Sequence, residues 1–435
     1  MSGRHAGSSD DEKLWAELGL DVELHRRVVE SISANYARQV ESRPLRPAGM
    51  AYFDGVIHGA HGARAREIMA RKAAGAKFVG TFCIYVPEEI LLALDAAFLA
   101  LCGGTAVTIP YAEKHFPRNL CPLVKSTLGL AYSNTCPYAP LEDLAVGETT
   151  CDAKKKTWDV LGKDGGFHVL EVPQKKSPAG RRLWLEEVRA FAAKIEELTG
   201  NTLEAGKLAA AIRLLNRKRR ALARLHDLRK GSLPPISGTD ALVVMQASLI
   251  DDPARFTEAV ERLNAELEGR AAIGRSPFPP GAPRIMISGC PAVLGNWKVH
   301  HLIESAGAAI VVDETCTGTR YFTGEVAETG DGLDAQLEAI AERYLGVDCS
   351  CFTPNTERIE NILRLAADYR AGGVVQYILH ACHTYNVEAI NVTAALKEAG
   401  LPSLKIETDY SEEDTGRLRI RLEAFLESLE FRNDG

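Results

Sequence analysis

Hydrophobic and polar positions form alternating blocks along most of the chain. Strand-like runs rich in β-branched and aromatic residues recur in two series, the first AKFVGTFCIY, GGTAVTIP, DLAVGETTC and FHVLEVPQ, the second RIMISGC, AAIVVDETC, GVVQYILHAC and PSLKIETDYS. Helix-like segments lie between them, such as PEEILLALDAAFLAL and DAKKKTWDVLG. Apolar strands that alternate with helices are typical of a parallel sheet covered on both faces. The pattern therefore predicts an α/β fold with two related domains.

Two further segments have the periodicity of helices. One is the amphipathic stretch VELHRRVVESISANYARQVE near the start, and the other is a charged, Ala-rich region from about residue 181 to 270. The Pro-rich run RSPFPPGAPR marks a domain boundary. We predict an N-terminal helical extension over residues 1–48, a first α/β domain over 49–180, a helical segment over 181–275 and a second α/β domain over 276–435.

Composition narrows the class of protein. At 435 residues the chain is too long for one ordinary core. Its net charge of −7 gives no basic surface, so nucleic acid is not an expected partner. No apolar run approaches the roughly 20 residues of a membrane span, and the first residues contain no signal-peptide core. We expect a cytoplasmic protein with no membrane partner.

The ten cysteines are the most informative residues. Without an export signal they favour metal or redox chemistry over disulfides, although any single one is equally compatible with a buried structural thiol. Ligands bind beyond the carboxyl ends of parallel strands. If the two sheet edges face each other, the cysteines that end predicted strands converge on one cleft: Cys83, Cys151, Cys290, Cys316 and Cys382.

The other cysteines lie elsewhere in the predicted elements. Cys121 and Cys136 fall in loops, Cys349 and Cys351 form a Cys-x-Cys pair, and Cys102 is interpreted as a core residue at a helix end. No Cys-x-x-Cys, HExxH or ferredoxin-like spacing identifies a metal. Walker A, GxSxG and GxGxxG motifs are absent as well.

A few polar residues are candidates for chemistry. His383 follows Cys382 directly and is the candidate catalytic residue, with a plain helix-surface position as the alternative. Tyr385 and Glu388 are weaker candidates for proton supply. The three lysines 154–156 are interpreted as a solvated helix face rather than a docking patch.

Taken in order, several motifs resemble one known superfamily. They are TFCIYVPEEI, RNLCPLVKSTLG, TCPYAPLEDLAVGETTCDAKKK, ISGCPAVLGNWKV, DETCTGTRYF, DCSCFTPN and HACHTYNVEAINV. The set resembles the 2-hydroxyacyl-CoA dehydratase and benzoyl-CoA reductase superfamily, and within it most resembles the double-cubane-cluster proteins. The likeness runs from about Met50 to the C-terminus.

The resemblance implies a fold, a cofactor and partners. It implies two Rossmann-like domains with helical additions, a dimer, and a separate ATP-hydrolysing iron–sulfur activator that supplies low-potential electrons. In the dehydratases three cysteines hold one 4Fe–4S cubane, and by motif these correspond here to Cys121, Cys151 and Cys382. The double-cubane members hold two cubanes joined by a sulfide (8Fe–9S).

Three hypotheses follow for the function. The first is a reductase with two linked cubanes, which need six thiolates; for the other three we favour Cys290, Cys316 and Cys349, with Cys83 and Cys136 as alternates and Cys351 as support for Cys349. The second is a dehydratase-type subunit with a single cubane. The third is a zinc or cluster-binding assembly protein, or purely structural thiols. The sequence does not identify the small-molecule substrate.

Overall fold

A computed structural model describes residues 9–162, 166–328 and 332–433. It contains two parallel sheets of four strands each, which confirms the predicted α/β class with two Rossmann-like units. The first sheet has the order β2-β1-β3-β4, and the second has the equivalent order β6-β5-β7-β8. The strands are β1 Phe78–Thr81, β2 Ala97–Ala100, β3 Leu144–Glu148, β4 Phe167–Leu170, β5 Arg284–Gly289, β6 Ala309–Glu314, β7 Gly373–Leu379 and β8 Ser403–Thr408.

Helices cover both sheets and fill the segments before and between them. Those up to residue 170 are α1 Ser9–Glu17, α2 Val22–Tyr36, α3 Met50–Gly59, α4 Ala63–Ala73, α5 Glu88–Ala93, α6 Ile109–Ala112, α7 Pro122–Tyr132 and α8 Asp152–Leu161. The next four are α9 Pro178–Thr199, α10 Ala205–Asp227, α11 Gly238–Ser248 and α12 Pro253–Ala272. The last six are α13 Lys298–Ser305, α14 Thr319–Phe322, α15 Leu333–Leu345, α16 Thr356–Asp368, α17 His383–Glu398 and α18 Thr415–Asn433.

Burial explains why these segments form strands. Every residue of β3, β6 and β7 is buried, so both faces of these strands lie against apolar neighbours, as expected of a covered parallel sheet. The edge strands β4 and β8 are only partly buried. The order of each sheet reverses between its two middle strands, which is where such folds open a crevice for ligands.

Two sequence-based predictions are wrong in the first sheet. The segment PEEILLALDAAFLAL is not one helix, because α5 ends at Ala93 and Asp95 adopts a positive φ of 57°, after which β2 begins. The segment GGTAVTIP forms no strand and leads instead into the short helix α6, with Pro110 in its first turn. Pro suits a first helical turn because it has no N–H to lose there.

The helical segments join the two sheet units. Trp184 of α9 donates from Nε1 to the carbonyl of Ala341 at 3.0 Å, and Asn216 of α10 donates from Nδ2 to the carbonyl of Val326 at 2.8 Å. Near the N-terminus, Trp15 donates to the carbonyl of His61 at 2.7 Å. The first eight residues of the predicted extension lie outside the described residues, and the domain boundaries remain predictions.

The buried carboxylate of Glu304 connects the second sheet unit, the helical segment and the N-terminal segment. Glu304 of α13 accepts from the backbone N–H groups of Gly238 (2.7 Å) and Thr239 (3.1 Å), which begin α11. Its Oε2 also lies 2.8 Å from Nη2 of Arg43 in the N-terminal segment, and its side chain is fully buried. A carboxylate is favourable at a helix N-terminus because it satisfies free N–H groups and complements the helix dipole.

Replacing Glu304 with Ala should lower the free energy of unfolding by roughly 3–5 kcal/mol, because it leaves the largely buried Arg43 guanidinium unpaired and removes the acceptor of two buried N–H groups at the start of α11. Denaturant unfolding measures this loss. The matched control is Glu398→Ala, which removes an exposed carboxylate at the end of α17 and should change stability by less than about 0.5 kcal/mol. Equal losses in the two variants would contradict this role of Glu304.

Candidate functional site

A cavity of about 230 Å³ lies between the carboxyl ends of the two sheets. We call it the thiol cavity because eight cysteines line it: Cys83, Cys102, Cys121, Cys151, Cys290, Cys316, Cys349 and Cys382. Four of them belong to the first sheet unit and four to the second. The two edges therefore face each other across one cleft, and all six cysteines of the predicted ligand set line it.

The strands account for six of these positions. Cys83 and Cys151 follow β1 and β3, the strands on either side of the order reversal in the first sheet, while Cys290 and Cys382 follow the equivalent strands β5 and β7. Cys316 follows β6. The prediction that Cys102 lies at a helix end is wrong, because it follows β2; it packs against the hydrophobic core, as predicted, and also lines the cavity.

Unusual backbone geometry directs two of the thiols. Gly289 precedes Cys290 with a φ of +139°, and a Cβ there would lie 2.0 Å from the carbonyl oxygen of Tyr377. Ala381 precedes Cys382 with a φ of 56°, which is uncommon for a residue with a side chain. Such conformations persist where the surrounding structure enforces them, often at functional sites.

Three thiols lie directly before helix N-termini. Cys121, Cys151 and Cys382 are the N-cap residues of α7, α8 and α17. Backbone N–H groups of the first helical turn lower the pKa of each thiol, although burial and neighbouring thiols leave the pKa of Cys121 and Cys151 above the usual value. The helix dipole acts in the same direction and favours thiolate, the form that binds metal. These three are also the residues that the sequence resemblance predicts as the ligands of a single cubane.

The thiols of Cys121, Cys290 and Cys382 form one group and are close enough to interact with one another. Their interaction lowers the pKa of Cys382 to about 3. The interaction with Cys382 and burial raise the pKa of Cys121 and of Cys290. Cys290 Sγ also accepts from the backbone N–H of Leu379 at 3.3 Å. The group combines thiols from both sheet units.

A second group contains Cys83, Cys316 and Cys349, with Cys351 beside it. Interaction with the Cys351 thiol lowers the pKa of Cys349 to about 7. Burial raises the pKa of Cys83 and of Cys316, and the two thiols are close enough to interact electrostatically. Cys136 does not line the thiol cavity; it lines a smaller cavity of about 70 Å³, separated from the first by a wall that includes Cys102.

The donor chemistry fits an iron–sulfur group better than a single ion. Among the described residues, no three Cys, His, Asp or Glu side chains are placed to hold one metal ion. A cubane has its irons at separate corners, so its thiolate ligands lie farther apart than the ligands of one ion. Thiolates are also the ligands that iron–sulfur clusters require. Residues Cys121, Cys151, Cys290, Cys316, Cys349 and Cys382 could hold such a group.

Sequence reasoning missed two charged pairs beside these thiols. Arg320 lies 4.0 Å from Cys316 Sγ, donates to the Tyr385 hydroxyl and is paired with the buried Glu314. Lys154 is largely buried, lines the cavity and is paired with the fully buried Glu148. The interpretation of residue 154 as part of a solvated face is therefore wrong. Glu148 and Lys154 are six residues apart, one at the end of a strand and the other in the next helix, and this spacing predicts no contact from the sequence.

Two of the three candidate proton carriers line the thiol cavity, and one does not. His383 is exposed and lines the cavity at the start of α17. Tyr385 is buried and also lines it, and burial raises its pKa, so the hydroxyl stays protonated at neutral pH. Glu388 does not line the cavity, and its carboxylate accepts from Nη1 of Arg358 at 2.5 Å.

Residues 83–429 match the family model described as 2-hydroxyglutaryl-CoA dehydratase, D-component. The chain belongs to this family. That result confirms the resemblance of its cysteine motifs to the 2-hydroxyacyl-CoA dehydratase superfamily. Within the described residues of this family member, no helix combines the length and hydrophobicity that a membrane span requires.

Named relatives match most of this dehydratase-family chain. The "Putative dehydratase subunit YjiM" of Escherichia coli K12 is 39% identical over 369 residues, which span 83% of this chain and 94% of the relative. The (R)-phenyllactyl-CoA dehydratase beta subunit of Clostridium sporogenes is 24% identical over 360 residues (82% and 92%). The (R)-2-hydroxyglutaryl-CoA dehydratase subunit beta of Acidaminococcus fermentans is 23% identical over 369 residues (82% and 94%).

The site predicts an unusual pH dependence for one thiol in the metal-free, reduced protein. A lowered pKa means that thiolate is present above pH 3 and is lost only below it, so the rate of Cys382 alkylation by iodoacetamide should be nearly constant from pH 5 to 8. Burial raises the pKa of Cys136 to about 12, so its alkylation should be slow and rise about tenfold per pH unit. Peptide mass spectrometry measures both rates. A tenfold rise per unit for Cys382 would contradict the thiol network.

Proposed function

We propose that this chain is the iron–sulfur component of a reductase, and that it reduces a small molecule at a double-cubane cluster held in the thiol cavity. One observation carries the proposal: eight cysteines from both sheet units line one cavity, and six of them form two groups of three thiols. A single cubane with three protein ligands would leave five of these eight thiols without a role. Two linked cubanes need six.

The proposed ligands are Cys121, Cys151, Cys290, Cys316, Cys349 and Cys382, with Cys83 as the alternate that also lines the cavity. Bound there, the cluster would store electrons at low potential. Such potentials depend on net charge, hydrogen bonds to sulfur and exposure to solvent. The cavity supplies each of these through its charged pairs, helix N-termini and burial.

The other residues that line the cavity would exclude water from a small substrate and supply it with protons. Apolar side chains from both units, including Ile84, Phe98, Leu249 and Val293, restrict water around a bound molecule. Tyr385 holds a proton on its hydroxyl while Arg320 donates to that oxygen, which fixes the orientation of the phenol. The exposed His383 is suited to pass protons from solvent to the cavity. These two residues are the proposed acids of the site.

Electron supply requires a partner. Low-potential electrons would come from a separate ATP-hydrolysing iron–sulfur activator, as the sequence resemblance implies, and the proposed assembly is a cytoplasmic homodimer. ATP hydrolysis in that partner would provide the driving force that ordinary electron carriers lack. No residue of this chain is assigned to ATP, in keeping with the missing Walker A motif.

A second candidate function is favoured by the names of the relatives. Two of them are beta subunits of 2-hydroxyacyl-CoA dehydratases. On this hypothesis the chain is a dehydratase-type subunit that holds one cubane through Cys121, Cys151 and Cys382. It would then need a dissimilar second subunit and a site for the CoA nucleotide.

Iron and acid-labile sulfide counts separate the candidates. Protein purified under anaerobic conditions should contain about eight irons per chain if two cubanes are bound, because each cubane has four. About four irons would support the dehydratase-type subunit instead. Zinc, or no metal, would overturn both proposals and leave an assembly or structural role for the thiols.

Two cysteine variants test which thiols bind the iron. Cys316→Ala removes a proposed ligand and should lower the iron content relative to the wild-type protein. Cys136→Ala is the matched control, since Cys136 is also largely buried but lines the smaller cavity, and its iron content should stay unchanged. Full iron and sulfide content in Cys316→Ala would remove Cys316 from the ligand set.

A further inference from the structure

Lys154 and Glu148 form an ion pair within the wall of the thiol cavity. Lys154 Nζ donates to Oε1 of Glu148 and, at 3.0 Å, to the carbonyl oxygen of Phe82. The Glu148 side chain is fully buried and that of Lys154 is 14% exposed. Both residues lie beside the end of β3, where the first sheet opens toward the cavity.

Neither side chain of this pair has a partner for each of its hydrogen-bonding groups among the described residues. An ammonium group has three donors, and the described residues supply Lys154 with two acceptors. Oε1 of Glu148 also accepts from Thr150 Oγ1 at 2.6 Å, but Oε2 is buried and has no hydrogen-bond partner among the described residues. A buried carboxylate oxygen without a partner is costly, so its retention beside the cavity calls for a role.

Both charges reach the cysteines of the cavity. Lys154 lines the cavity together with Cys83, Cys102, Cys151 and Cys316 and is within electrostatic range of all four. Glu148 is within electrostatic range of five thiols: Cys83, Cys102, Cys151, Cys349 and Cys351. The pair is therefore within electrostatic range of thiols from both sheet units, and Arg320 is the other cation that acts on Cys316.

We propose that Lys154 and Glu148 are positioning residues that set the reduction potential of the bound cluster, Lys154 raising it and Glu148 lowering it. This inference rests on the proposed function. Reduction adds one electron and hence one negative charge to the cluster, and no bond is made or broken. A neighbouring cation stabilises that added charge and a neighbouring anion opposes it, most strongly where water is excluded.

The neighbouring lysine provides a matched control. Lys155 is one residue away on α8, but its side chain is 40% exposed and pairs with the exposed Asp152 at 2.8 Å. Lys154→Met and Lys155→Met therefore make the same chemical change at a buried, cavity-facing position and at a solvated one. Charges screened by water contribute little over the same distance.

The test uses the full-length, cluster-loaded protein and titration with titanium(III) citrate followed by electron paramagnetic resonance. Iron and sulfide are counted first in every variant. The midpoint potential should shift to a more negative value in Lys154→Met and to a more positive value in Glu148→Gln, and should stay at the wild-type value in Lys155→Met. A general structural disturbance would not move the two buried variants in opposite directions.

Each outcome has a distinct meaning. Two results, each at wild-type iron content, would overturn the inference and leave the proposed function in place. One is an unshifted potential in both variants, and the other is a shift of the same sign in Lys154→Met and Glu148→Gln. If Lys154→Met fails to retain iron, Glu148→Gln decides alone, because it keeps the size of the side chain and its Oε1 acceptor. Absence of iron from the wild-type protein would contradict the proposed function itself.

Discussion

The central constraint of this structure is that two parallel sheets present their carboxyl edges to each other. Strand ends in a parallel sheet lie at the same edge, so residues far apart in the chain meet there. Cys83 and Cys382 are separated by nearly 300 positions, yet both line one cavity. The helical segment between the sheets maintains this arrangement, since α9 and α10 bond to residues of the second unit. Each unit contributes four of the eight thiols that line the cavity.

Burial of so many ionisable thiols has an electrostatic cost, and the site offsets it locally. Desolvation raises the pKa of most cavity cysteines, which disfavours the thiolates that a metal group needs. Helix N-termini after Cys121, Cys151 and Cys382 counteract this effect, and Lys154 and Arg320 add positive charge from two sides. Both cations are held by buried carboxylates, so their positions are fixed before any ligand binds.

Much of this organisation could be predicted from the sequence. The strand-end positions of Cys83, Cys151, Cys290, Cys316 and Cys382 follow from short apolar runs that stop at a cysteine, which their length and their β-branched and aromatic residues mark as strands. The loop around Cys102 could not be predicted in this way, because a short apolar run fits helix and strand equally. Asp95, in a left-handed conformation, is what ends α5 and allows β2 to form.

The charged pairs were beyond sequence reasoning for a different reason. Lys154 lies among three consecutive lysines, and composition alone favours a solvated face for all three. Tertiary packing separates them: residue 154 is turned toward Glu148, while 155 and 156 pair with Asp152 and Asp159 near solvent. The two-group arrangement of the thiols likewise depends on contacts across the cleft, which no local spacing encodes.

The central claim is that thiols from both sheet units bind one iron–sulfur group. Anomalous diffraction at the iron absorption edge, from crystals grown without oxygen, tests it most directly. The account predicts iron peaks within the thiol cavity, bonded to cysteine sulfurs of both units, Cys121 and Cys382 among them. Iron bound elsewhere in the protein, with the cysteines of the cavity free of metal, would contradict it.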